Sequence, residues 1–293
     1  MKIKDTSLGY RILCWVLLII LAFLFLFPLY WIVTGSLKTS AGINAKVPEW
    51  FPKTFTWEQF QKLFSKRSAP LFQFGSVEGP KAPAAIRWLI NTVFISVMAM
   101  LLTCLTASMA GYALAKKRFT GRFIIFSLIV AAMALPKQVI LIPLIREMST
   151  LKLYKTLWAV IFPTVGWPFG VFLMKQFAES IPGEMLEAAR IDGAGELKTF
   201  TTVVYPMIKP GVGALAIFTF INSWNDYFLQ LIMLPENTTY TISIGIATMQ
   251  AENSTDFGLL MAGAALASVP IIIVFLLFQK YFTKGITMGA VKG

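Results

Sequence analysis

Two short groups of polar residues have the types and spacing to do more than pack. In "GEMLEAARIDGAGELKTFTTVVYP" (183–206), Glu184 and Glu187 stand three apart, Ala188 and Ala189 follow, and Asp192 precedes the run Gly193-Ala194-Gly195. In "VGALAIFTFINSWNDYFLQLIML" (212–234), Thr219, Asn222, Asp226 and Gln230 step by three, four and four, so an uninterrupted helix carries them on one face with Ser223 beside them. Neither group is a catalytic constellation. The chain has no histidine, which removes the commonest general base and metal ligand. Cys14 and Cys104 lie inside apolar runs without CxxC spacing and read as small buried hydrophobes, not as a disulfide or a metal site. "GAGELKTF" lacks the glycine that a phosphate-cradling loop needs before its lysine, and no such loop occurs elsewhere. The chain is therefore expected to be no enzyme and to need no cofactor or metal.

The elements that carry these groups are membrane spans. Of 293 residues 57% are hydrophobic and 14% charged, where soluble domains carry about 25% charged. Apolar runs of about 20 residues, the length of a helix crossing a bilayer, recur along the chain, and the ten-residue alternation of a membrane barrel is absent. The expected fold class is all-α, a polytopic membrane protein with six spans at about 12–34, 87–111, 123–145, 155–177, 210–232 and 258–280. The first run follows Lys2, Lys4 and Arg11, is longer than a signal-peptide core and ends in "PLYWIV", so it is expected to remain as a span.

The net charge of +12 sits mainly at the ends of apolar runs, which points to topology and not to nucleic acid. Lys116, Lys117, Arg118 and Arg122 lie between the second and third spans, Lys280, Lys284 and Lys292 follow the sixth, and 235–257 holds no Lys or Arg. By the positive-inside rule both termini are cytoplasmic. The segment 35–86 is then outside despite its lysines, and its length weakens their vote. Its Trp50, Phe51, Phe55 and Trp57 suit either the outer membrane face, a partner or an ordinary interfacial loop. Residues 1–85 form a first unit of one span and this outer segment; 86–293 form the core unit with the other five.

The stretch 183–206 falls between the fourth and fifth spans, on the water side. Pro182 suits a helix start, Glu184 and Glu187 complement the positive end of that helix, and Gly193, Ala194 and Gly195 allow a bend. A second short helix is expected to end at Pro206 and Pro210. A helix lying on anionic headgroups would carry Lys and Arg opposite bulky apolar residues. Glu and Ala fit better into a groove on a partner protein.

"EAARIDG", followed nine residues later by Val203-Val204-Tyr205-Pro206, resembles the EAA motif of inner-membrane permease subunits in binding-protein-dependent ABC importers, with Val203 and Tyr205 in place of Ile and Leu. "GYALAKKRFTGR" (111–122), "LPKQVILIPL" (135–144), "SWNDYF" (223–228) and the ending "YFTKGITMGAVKG" are similar to the maltose-permease-like, carbohydrate-uptake branch. The resemblance covers about residues 85–293. It implies that 183–206 is a coupling helix docked in a cleft of a cytoplasmic ATPase. Glu187 would pair there with a basic residue, Ala188 and Ala189 would permit close contact, and Gly193 would make the bend. The tail after Lys284 would reach between the ATPases. It further implies a second homologous permease, two ATPase subunits, an extracytoplasmic sugar-binding protein and a sugar substrate moved by alternating access.

A polar stripe in hydrocarbon is costly unless it faces protein or a watery path. The face from Thr219 to Gln230 is therefore expected to line a pathway, or else to hold helices together by hydrogen bonds. At about 1.5 Å per residue, Lys137 and Asp226 come to similar depth and are expected to pair. Pro136 and Pro143 suit a span that bends. Trp224, Tyr227 and Trp167 are candidate sugar-stacking faces. The loop from about Thr241 to Asn253 would, by the resemblance, help release sugar from a docked binding protein. An ion-coupled secondary transporter would need more intramembrane ionisable groups and an internal repeat, neither of which is evident. A membrane enzyme lacks its nucleophile and base. A permease for glycerol phosphate or a peptide differs only in the softer motifs.

Overall fold

The computed structural model describes residues 8–74, 77–252 and 256–290. A long helix α1 (Leu8–Ser36) leads into the short α2 (Ser40–Ile43) and α3 (Glu58–Ser65). Two small antiparallel ribbons follow, β1 (Ser68–Pro70) with β4 (Lys81–Pro83), and β2 (Gln73–Phe74) with β3 (Val77–Glu78). The sequence reading did not foresee them, because strands of two or three residues carry no periodicity. Then come α4 (Ala84–Lys116), α5 (Arg122–Ala132), α6 (Leu141–Thr150), α7 (Trp158–Val165) and α8 (Pro168–Glu179). The chain continues through α9 (Gly183–Ile191), α10 (Glu196–Thr199), α11 (Tyr205–Trp224), α12 (Tyr227–Met233), α13 (Ile242–Glu252) and α14 (Phe257–Ala290).

Among the described residues five helical runs are long and apolar enough to cross a bilayer, and six if the bent pair over 122–150 counts as one span. The expected all-α, polytopic architecture holds, with two corrections to its spans. The fifth span starts earlier than 210. Residues 196–224 form one run, because Phe200–Val204 is a π-turn. Its wider turn accommodates Pro206, whose missing N–H and bulky ring would disrupt a regular helix. Pro206 and Pro210 thus sit inside the span, where the sequence reading had them end a helix. The same span stops at Trp224 and not near 232. Asn225 leaves the helix, and Asp226 caps the separate α12 by accepting from the Leu229 N–H at 3.3 Å.

The core is built around α4. Toward the α9 end, Tyr112 of α4 packs with Met174 and Ala178 of α8, Leu186 of α9, and Phe200, Val204 and Ile208. At the opposite end Trp88 packs with Leu63, Phe220, Trp224, Ile242 and Leu259. Laterally, Ile95 meets Leu141, Ile161 and Met233. Most of α1 is exposed, with Trp15, Phe23 and Phe25 more than two-thirds exposed. Such a surface suits lipid.

The loop after α12 is not an open turn. Polar side chains of α4 hold it: Asn91 donates to the carbonyls of Thr238 and Tyr240, Trp88 Nε1 donates to Asn237, and Thr92 Oγ1 accepts from the Ile242 N–H at 2.9 Å. The stretch expected to be a polar loop from Thr241 is therefore mostly the helix α13, with Ile242, Ile244 and Met249 buried; Asn253 lies outside the described residues. Asn and Thr in "RWLINTVF" were the available signal. Residues 35–66 fold over the same end. Lys38 is buried with its ammonium 4.3 Å from the Trp31 ring centre and donates to the Glu49 carbonyl, and burial lowers its pKa. The Ser40 hydroxyl and then Lys62 hold the Glu58 carboxyl below the usual carboxylate range. Trp50, Phe51, Phe55 and Trp57 stay exposed.

Helix α4 packs closely on α8 at Gly111. A Cβ at Gly111 would lie 2.7 Å from Lys175 N and Met174 C, both backbone atoms that cannot rotate away. Gly111→Val is expected to cost about 1–3 kcal/mol by overpacking. This should be read as a lowered melting temperature of the purified protein, with little change for Gly9→Ala, where a Cβ meets nothing.

Candidate functional site

Three helical runs bend or end close together, each for a local reason. After α5 the chain turns through 101° before the 3-10 turn Lys137–Ile140 and α6. Pro136, with extended ψ and no N–H to donate, ends the first half. Pro143 falls in the first turn of α6, where its missing N–H is no loss, so the bend belongs to Pro136 alone. Between α7 and α8, Trp167 is extended and Pro168 opens the next helix. Between α11 and α12, Asn225 and the cap Asp226 make the third break. Within a bilayer irregular backbone is tolerated only where protein or a water-filled space covers it.

The three breaks enclose a cavity of about 480 Å³. Lys137 and Gln138 come from the first, Thr164, Trp167 and Phe169 from the second, Asn222 and Asp226 from the third. The expected ion pair is formed. Lys137 Nζ lies 3.2 Å from Asp226 Oδ2 and donates to Asn222 Oδ1 at 3.4 Å. The Asp226 side chain is 13% exposed and that of Lys137 53%, so the carboxylate is the desolvated partner. Trp167 and Phe169 stand with ring centres 4.9 Å apart on the cavity wall.

The expected polar face divides here. Asn222 and Asp226 reach the cavity, whereas Thr219, Ser223 and Gln230 are fully buried in protein. Gln230 Nε2 donates to the Ser223 carbonyl at 2.7 Å, tying α12 back to α11 across the break. The spacing argument assumed one continuous helix, and the stop at Trp224 takes Gln230 out of register. Trp224 is buried against Phe220 at 5.4 Å, and Tyr227 is partly exposed but off the cavity; of the three candidate aromatics only Trp167 lines it. Gln138 and Phe169 went unnoticed in the sequence. The Trp-Asn-Asp of "SWNDYF" could have revealed the break, since Asn and Asp are helix-cap residues.

The stretch 183–206 forms the expected bend after α9, but its second arm, α10, is the start of the run that continues into α11. Gly193 has φ +74°, a left-handed conformation natural only to glycine. The Ala194 N–H donates to Ala189 O at 2.9 Å and the Gly193 N–H to Arg190 O at 3.0 Å, the two bonds of a Schellman C-cap. Glu184, Glu187, Ala188, Asp192 and Gly193 are exposed, with Ile191 (86%) beside them, whereas Ala189 is buried against the body. Only one alanine of the pair thus faces outward. No ion pair engages Glu184, Glu187 or Asp192 among the described residues.

Basic residues first read for topology fasten this element. Lys116 Nζ donates to the carbonyls of Glu179 and Ile181 at 3.0 and 2.6 Å, and Lys117 pairs with Glu196. Lys117 also lies 5.2 Å from the Tyr112 ring centre, and Tyr112 in turn contacts Phe200. The tail after Lys284 continues as helix to Ala290, and residues 291–293 lie outside the described residues.

Broken spans around a cavity, with a presented helix pair at one end, are the architecture of a membrane permease. The chain belongs to the family of binding-protein-dependent transport system inner membrane components, whose pattern it matches over residues 105–288. It is a multi-pass inner membrane protein. Its relatives include the arabinooligosaccharides transport system permease protein AraQ of Halalkalibacterium halodurans, 35% identical with 96% of this chain and 98% of that one covered. The trehalose/maltose transport system permease protein MalG of Thermococcus litoralis is 29% identical, with 97% of both chains covered. Among solved structures, a bacterial ABC transporter involved in the import of the acidic polysaccharide alginate shares the fold, with a TM-score of 0.75 at 23% identity over 95% of this chain and 99% of that one.

The Lys137–Asp226 pair makes a direct prediction. Lys137→Gln and Asp226→Asn should each lower the melting temperature of the purified protein, and the double variant should lower it by less than their sum. The coupling is expected at about 0.5–1 kcal/mol, as for a partly exposed pair. Strict additivity would show that the two charges do not support each other.

Proposed function

We propose that this chain is one membrane half of an ATP-driven saccharide importer, coupled to a separate ATPase through α9 and α10. The carrying observation is the presented face of α9. Glu184, Glu187 and Asp192 stand exposed without an ion pair among the described residues, closed by the Gly193 turn and braced from behind by Lys116 and Lys117. An element fastened at its back and unpartnered in front suits the transmission of force. The chain's sequence contains no phosphate-binding loop, so the hydrolysis is assigned to the partner. The basic cluster 116–122 lies beside this element, and the positive-inside rule puts it and both termini in the cytoplasm.

A second, homologous permease would complete the pathway, two ATPase subunits would bind below, and an extracytoplasmic binding protein would deliver solute above. Closure of the ATPase pair would move α9, and through the Lys116 and Lys117 contacts α4 and α8, so that the cavity faces alternately out and in. The saccharide class is supported by the cavity chemistry, which combines amide and ammonium donors with the Trp167 and Phe169 rings. Hydrogen-bonding groups facing an apolar plane suit a sugar ring. The names of the relatives, arabinooligosaccharides and trehalose/maltose among them, point the same way.

Glu187→Lys tests the coupling. Reversing this charge is expected to weaken retention of the ATPase during copurification by about 100-fold, the size of an unpaired buried charge at ~3 kcal/mol, and to abolish ATP-dependent uptake in vesicles. An intact, fully active complex would overturn the docking role. Uptake driven by an ion gradient without ATP would overturn the importer itself.

A further inference from the structure

Lys137 and Asp226 alone are charged among the residues lining the cavity, and their charges cancel. Both oxygens of Asp226 are already engaged. Oδ1 accepts from the Leu229 N–H at 3.3 Å, and Oδ2 lies 3.2 Å from Lys137. The lysine is held by that carboxylate and by Asn222 Oδ1 at 3.4 Å. The rest of the wall is largely apolar, including Leu135, Leu141 and Phe228. In such surroundings an uncompensated charge acts far more strongly than in water.

We propose that this pair is a charge-selectivity element that admits uncharged saccharides and rejects uronate-bearing ones, with Asp226 as the specificity-determining residue. The inference rests on the saccharide reading above. A carboxylated sugar entering the cavity must shed water, yet it meets an ammonium already neutralised and a fixed carboxylate close beside it. A neutral sugar loses little. It finds the remaining ammonium proton and the Trp167 ring, neither of which requires a charge on the solute. Removing the aspartate charge converts the same site into a cationic one.

The test uses the complete complex with both permeases and both ATPases, Cys14 and Cys104 replaced by serine, and a probe thiol at Gln138→Cys. Anionic and cationic methanethiosulfonate reagents of equal size are compared. With the native pair their rate ratio should stay within about twofold of that for a free thiol. Asp226→Asn keeps the size and the helix cap and should shift the ratio at least about tenfold toward the anionic reagent. Lys137→Gln should shift it as far the other way, and the double variant should restore it. Millimolar raffinose, a neutral trisaccharide, should protect the native probe thiol where trigalacturonate does not, and trigalacturonate should protect it in Asp226→Asn.

Ratios unmoved by the single variants, with raffinose still protective, overturn the selectivity claim alone. Equal protection of the native site by both sugars does the same. Ratios that shift while neither sugar protects overturn the saccharide reading, and the selectivity claim with it. Should the Asp226→Asn complex not assemble, the shift in Lys137→Gln decides the matter.

Discussion

A backbone amide without a partner in hydrocarbon costs several kcal/mol, and this chain interrupts its helical runs three times around one cavity. That constraint organises the rest. The breaks at 133–136, 166–167 and 225–226 cannot face lipid, so they face one another and enclose the cavity. Each break also supplies its own repair. Pro136 and Pro168 have no N–H to satisfy, and Asp226 takes up the Leu229 N–H. Gln230 reaches back to the Ser223 carbonyl at the end of α11. The lysine and aspartate that meet across the space come from two of these interruptions, so the same irregularities that create a void also furnish its polarity.

At the other end the physics is that of a short helix pair held against a large body. α9 has nine residues, too few to be stable alone in water. Its Leu186 and Ala189 are buried against the bundle, its far end is locked by the Gly193 turn, and Lys116 secures the chain entering it. The π-turn at Phe200–Val204 then passes the chain straight into α11. The α9 element is thereby packed against α4, α8 and the start of α11 together.

Much of this was legible in the residues. Hydropathy located the spans because roughly 20 apolar residues have few other uses, and "EAARIDG" with Pro182 before it announced the bent helix pair. Lys137 and Asp226 were paired from depth alone, because lone charges at that level need each other. What the sequence concealed were departures from regular helix. A π-turn has no compositional mark distinguishing "FTTVV" from ordinary helix, so Pro206 read as a terminator. The break at Asn225 was hidden inside an apolar run, and with it the burial of Thr219, Ser223, Gln230 and Trp224. The division between Ala188 outside and Ala189 inside depends on the rotation of α9, which spacing within a nine-residue helix does not determine.

The attachment of α1 has a consequence for the order of synthesis. This helix docks chiefly on α14, roughly 220 residues further along the chain. At about 5–20 residues per second, α1 leaves the ribosome roughly 10–40 s before its partner exists. It must wait in the bilayer as a lone hydrophobic rod, and its nearly uniform apolar surface, a poor feature in water, equips it for that interval.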